Sequence, residues 1–117
     1  MISLNQIKLE RINSSLVEQI SYIIAHDVKN PDINFVTITG AKVTSDLSLA
    51  KIYFTVLDQS KIKETLSALK DASGYIRHEL RERIEIRQIP ELEFVYDESI
   101  EYGNKIEKII DKLHEDE

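Results

Sequence analysis

The stretch "LSALKDASGYIRHEL", residues 66–80, decides how the chain folds. Apolar residues keep helical spacing on both sides of its centre, with Ile62, Leu66 and Leu69 before and Ile76, Leu80 and Ile84 after. Ser73 and Gly74 stand between them. Glycine costs about 1 kcal/mol against alanine inside a helix. The spacing therefore predicts two short helices, about residues 60–72 and 75–86, joined by a tight bend at Gly74. Asp58 or Ser60 caps the first. The start of the second leaves the N–H groups of Tyr75 and Ile76 open as a seat for phosphate.

Upstream of this stretch, Leu4, Ile7, Ile12, Leu16, Ile20, Ile23 and Ile24 form one apolar stripe, which predicts a helix over residues 4–25. Pro31 ends the helical stretch by disfavouring helix at Asn30. "NFVTITGAKVT" is rich in β-branched residues and reads as a strand, with a bulge at Gly40. "SDLS" makes a turn. "LAKIYFTVL" then alternates, with Ala50, Ile52, Phe54 and Val56 on one face and Lys51, Tyr53 and Thr55 on the other. Downstream, "QIPELEFVYDES" holds a third strand with Leu92, Phe94 and Tyr96 inward. A last helix at about 101–114 carries Ile106, Ile109, Ile110 and Leu113. The order is α-β-β-α-α-β-α. The first two strands form an antiparallel hairpin, and the third returns through a helical crossover that favours a parallel neighbour. The expected fold class is α+β, a three-stranded mixed sheet with helices on one face.

The 117 residues suit one domain over 1–117, with residues 114–117 as a frayed tail. With 42% hydrophobic and 31% charged residues, a folded domain is expected rather than a disordered one. The chain has no cysteine, which excludes a disulfide framework, a thiolate metal site and a cysteine nucleophile. No apolar run approaches the ~18 residues of a membrane span. Charges at Lys8, Glu10 and Arg11 come too early for a signal peptide. The expectation is a cytoplasmic protein with no membrane partner. The net charge of −6 is unevenly spread: residues 91–117 hold ten acids against three bases, whereas residues 1–90 hold eleven acids against twelve bases. An acidic average does not exclude a nucleic-acid partner when the bases share a face.

A helix–bend–helix followed by a strand resembles the K-homology (KH) unit in its type II order. KH domains carry GxxG at the bend and clamp single-stranded nucleic acid with it. Here the bend reads Ala72-Ser73-Gly74, and an AxG bend in that order resembles the bacterial ribosome-binding factor A family. "VTITGAKVTSDLSLAKIYFTVL", "ALKDASGYIRHEL" and "RQIPELEFVYDESIEYGNKIEKII" are similar to the family's hairpin, helix pair and closing segment, so the resemblance runs from about Lys8 to Leu113. It implies a non-catalytic assembly factor that binds the free small (30S) ribosomal subunit. Such a factor assists late maturation near the 5′ end of 16S rRNA and supports growth in the cold. Its implied partners are the subunit and its 16S rRNA, ribosomal proteins and a ribosome-associated GTPase, with the chain acting as a monomer. Without GxxG, the RNA contact implied is to folded rRNA and its phosphates.

The charge pattern nominates the contacts. Helical bases with an acid three or four residues away read as surface pairs, as Glu79 with Arg83 does. Lys8, Arg11, Lys63, Lys70 and Arg77 have no such acid. Lys8 and Arg11 share a helix face, and Lys70 and Arg77 flank the expected bend. Arg81 faces Glu85 in the weaker orientation and joins the candidates, as do Ala72, Ser73 and Gly74 of the bend itself. Tyr53 on the outer sheet face reads as a solvated tyrosine before a base-stacking one. No catalytic residue, metal site or cofactor is expected: His26, His78 and His114 lack ligand spacing, and no Gly-rich phosphate loop occurs. An alternative is a protein-interaction module docking a ribosomal or other protein through the acidic C-terminal helix. A hydrolase is the remaining reading, and it lacks a site constellation.

Overall fold

A computed structural model describes residues 3–33 and 35–99. The expected helix at 101–114, the tail and His114 lie outside the described residues. Helix α1 (Leu4–His26) starts from a capping box: the Ser3 hydroxyl accepts from the Gln6 N–H at 3.1 Å, and the Gln6 side chain accepts from the Ser3 N–H at 2.9 Å. Ile12, Leu16, Ile20, Ile23 and Ile24 are buried as the stripe predicts. Leu4 and Ile7, the first two positions of the stripe, are exposed instead among the described residues.

Strands β1 (Val36–Val43) and β2 (Leu49–Val56) pair antiparallel, and the register slips between Ile38 and Gly40, where the bulge was expected. Tyr53 lies against Gly40, half-buried on the outer face. The connecting turn is held by Asp46, whose carboxylate accepts from the Thr44 hydroxyl at 2.7 Å and from the Ser48 hydroxyl and N–H at 2.8 and 3.1 Å. These bonds hold the Asp46 pKa down at about 2. Leu47 in this turn takes a left-handed φ of 62° and is buried.

Helix α2 (Ile62–Arg83) is one uninterrupted helix of 22 residues. This corrects the two helices expected around a bend. Gly74 lies inside α2, is exposed, and has no positive φ; a Cβ placed on it would meet nothing within 4 Å. The physical reason is phase. Thr65, Leu69, Ile76 and Leu80 are buried along one side, so the buried stripe crosses the Ser73–Gly74 pair without a shift. Burying a leucine or isoleucine stabilises by about 1.5–3 kcal/mol, which outweighs the glycine's cost. The Tyr75 and Ile76 N–H groups are thus interior to a helix and form no phosphate seat.

Strand β3 (Glu91–Tyr96) returns parallel to β2, giving the order β1-β2-β3. Phe94 is buried and Leu92 and Tyr96 half-buried, as expected. Both helices pack into one core with the inward residues of the sheet, centred on Leu16, Ile20, Ile52, Phe54, Leu69, Ile76 and Leu80. Lys51, Glu91 and Glu93 are exposed on the sheet. The fold is α+β, with a mixed sheet covered by helices on one face.

Candidate nucleic-acid interface

Residues 84–90 join α2 to β3 and form a ridge between two grooves. The Gln88 side chain donates to the Leu47 carbonyl at 2.9 Å and the Asp46 carbonyl at 3.3 Å, and Arg87 donates to the Asp46 carbonyl at 3.3 Å. Arg77 holds the other end: its Nε donates to the Pro90 carbonyl and its Nη2 to the Ile89 carbonyl, both at 3.0 Å. The turn at Asp46 and the middle of α2 therefore fix the ridge from two sides.

On one side lies a cleft of about 540 Å³, walled by α1, the Ser45–Leu47 turn and the start of the ridge. Lys8, Arg11, Arg83 and Arg87 line it, and Glu85 is the acid among its lining residues. On the other side a shallower groove of about 680 Å³ is lined by Arg77, Arg81, Gln88, Ser48 and Glu91. Arg83 is partly neutralised: Asp27 lies 3.3 Å away and Glu79 3.8 Å, the latter being the pair expected from the helical spacing.

The structure thus separates the sequence-based candidates by place. Lys8 and Arg11 come together, both exposed, in the cleft. Arg81 is exposed in the second groove beside Arg77. Arg77 is half-buried with two N–H groups already committed to carbonyls, so it differs from the free surface base the sequence suggested. Lys63 and Lys70 are exposed on α2 and line neither groove. Ala72 packs half-buried against the core, the Ser73 hydroxyl donates to the Lys70 carbonyl at 2.7 Å, and Gly74 is exposed on the helix surface. Because α2 is unbroken there, these three residues make no loop with which to clamp a strand.

Arg87 was missed from the sequence. It lies beyond the helix end, where periodicity says nothing about direction. Among the described residues, no group of three His, Asp or Glu side chains is placed to hold a metal ion. No helix among them is long and apolar enough to cross a membrane.

The family model described as ribosome-binding factor A matches residues 8–110. The chain belongs to the ribosome-binding factor A family. A ribosome-binding factor A from Staphylococcus carnosus is 48% identical over 112 residues, covering 95% of this chain and 97% of that protein. One from Staphylococcus epidermidis is 47% identical, over 97% of this chain and 99% of the other. Among solved structures, the crystal structure of ribosome-binding factor A from Thermus thermophilus superposes with a TM-score of 0.67 at 21% identity, over 75% of this chain and 94% of that one. A homology model of the Thermus thermophilus factor, fitted into a cryo-EM map of its complex with 30S, superposes at 0.57 and 21% identity, over 84% of this chain and 97% of that one. These two likenesses establish a shared fold. The matched range begins at Lys8 and so takes in the cleft apart from Asn5, together with the ridge and the second groove of this family member.

Proposed function

We propose that this member of the ribosome-binding factor A family is a ribosome maturation factor that binds the free 30S subunit through the ridge at residues 84–90 and its two basic grooves. It acts as a single-domain monomer over 1–117, without catalysis. Phosphates of 16S rRNA are met by Lys8, Arg11 and Arg87 on one side and Arg81 on the other, with Lys63 and Lys70 adding charge along α2. The same reading has the chain assist maturation near the 5′ end of 16S rRNA, support growth in the cold, contact ribosomal proteins and leave under the action of a ribosome-associated GTPase.

The observation that carries the surface is the convergence of Lys8, Arg11 and Arg87 on one cleft, beside an Arg83 already paired with Asp27 and Glu79, in a chain of net charge −6. Clustered cations supply most non-specific affinity for RNA whatever the sign of the total charge. The unbroken helix at Ala72-Ser73-Gly74 argues against a KH-type clamp at that position.

Co-sedimentation with purified 30S subunits and with 70S ribosomes tests this. The chain is expected to travel with free 30S. The pair Lys8→Glu and Arg11→Glu should weaken binding and lower the logarithmic salt slope by about 1.4–1.8, the loss of two phosphate contacts. Unchanged affinity and slope in the double variant refute the surface.

A further inference from the structure

The cleft continues along α1 into an aromatic cluster that phosphate binding leaves unexplained. Lys8, Arg11, Ser15, Gln19, Tyr22 and His26 follow one another at helical i+3 and i+4 steps, so they form one stripe. It contains no acid and runs about 27 Å at the helical rise. The first four line the cleft. Beyond them, the Tyr22 and His26 rings stack with centroids 4.1 Å apart and planes 18° from parallel. The Arg83 guanidinium, which also lines the cleft, sits 4.9 Å from the Tyr22 ring centroid. Tyr22 is 47% exposed, and His26 is exposed at the last position of α1.

An exposed tyrosine and histidine gain little by stacking on the surface of a monomer. The His26 Nδ1 atom lies 3.0 Å from the Tyr22 carbonyl, and Arg83 is held to Asp27 and Glu79, so the rings are fixed in orientation before any ligand arrives. Cations at one end and an oriented, cation-capped stack at the other match what single-stranded nucleic acid offers, phosphates and a flat base. An acidic peptide would use the cations and leave the rings idle.

Resting on the subunit-binding reading above, we infer that α1 is a track for an unpaired RNA segment, with its phosphates at Lys8, Arg11 and Arg87 and a base stacked on the Tyr22–His26 pair.

The test uses the full chain and a fluorescein-labelled oligo(A) 12-mer at low salt, with anisotropy as readout. His26→Ala should weaken binding about fivefold or more, since base–aromatic stacking carries that much. The salt slope should stay unchanged, because no phosphate contact is lost. His26→Phe should restore affinity. In the NMR spectrum of the intact chain, the His26 ring protons should move upfield on adding oligo(A) and stay in place on adding oligo-glutamate. Equal affinity of the alanine and phenylalanine variants overturns the inference. So does competition by a glutamate 12-mer as effective as that by unlabelled oligo(A), which would make the cleft a seat for any polyanion. If either result appears while the chain still travels with 30S subunits, the stacking track falls and the subunit-binding reading stands. A chain that ignores 30S refutes that parent reading on its own.

Discussion

Replacing Gly74 by alanine separates an uninterrupted α2 from a bent one. Gly74 lies inside α2, is exposed, and offers open space around an added Cβ. Alanine therefore meets no steric opposition. It raises helix preference by about 1 kcal/mol in an exposed interior position. Part of that gain comes through the unfolded chain, which loses the freedom glycine gave it. For a domain of this size, a gain of that magnitude raises Tm by about 4 °C. Thermal melts of Gly74→Ala followed by circular dichroism measure it, with 30S co-sedimentation as the second readout. Gly74→Pro supplies the opposite control, costing about 3 kcal/mol in a continuous helix because it removes an N–H and clashes with the preceding turn. A fall in Tm for the alanine variant refutes the reasoning, since it would mean that the glycine is needed for its conformation. A rise in Tm with loss of subunit binding refutes it too, by placing a bend at Gly74 in the bound form.

Arg77→Ala should destabilise the protein by about 2 kcal/mol, because it removes two charged hydrogen bonds to the Ile89 and Pro90 carbonyls from a half-buried position; denaturant melts check it, and a loss below about 0.5 kcal/mol would show the clasp to be slack. The Asp46 carboxylate is held at about 2, below its ordinary 3.8, by bonds from Thr44 and Ser48. Its contribution is therefore present above pH 3.8 and is lost as the pH falls towards 2, so the Tm advantage of the native chain over Asp46→Asn should shrink between pH 5 and pH 2, which calorimetry across that range reads directly.

The hairpin, its bulge and the returning strand were legible because burial imposes a period on the residues themselves. Ala50, Ile52, Phe54 and Val56 alternate inward in β2 as their spacing required. Gly40 marked the slip in register. The misreading at Gly74 came from weighing one residue's preference above the phase of its neighbours. Leu69, Ile76 and Leu80 keep one helical face across it, and a true bend between two helices would have shifted that face. Ile7 and Leu4 show the converse: the stripe continues past the core that the described residues form. In the site, Lys8 and Arg11 were legible as a pair because both sit on one helix at fixed spacing. Arg87 was missed and Arg77 was read as a free base, because their partners are backbone carbonyls of Asp46, Ile89 and Pro90. A carbonyl leaves no mark in the side-chain pattern, and the Asp46 one lies 41 positions away from Arg87 in the chain.

The arginines of this surface therefore serve two purposes that a charge count would merge. Arg77 spends its donors on the far end of the ridge and sets where Arg87 and Gln88 stand. Arg83 is neutralised by Asp27 and Glu79 and orients the Tyr22 ring. Lys8, Arg11 and Arg81 are exposed and form no ion pair among the described residues that would compete with a phosphate. The salt slope tells the two kinds apart. It counts phosphates neutralised rather than affinity as such, so removing an exposed cation such as Lys8 or Arg11 lowers both, whereas removing Arg83, already paired with Asp27 and Glu79, leaves the slope nearly unchanged. A net charge of −6 is no bar to a polyanionic ligand, because only the cations that face it enter that slope, and α1 sets Lys8 and Arg11 together on one wall of the cleft.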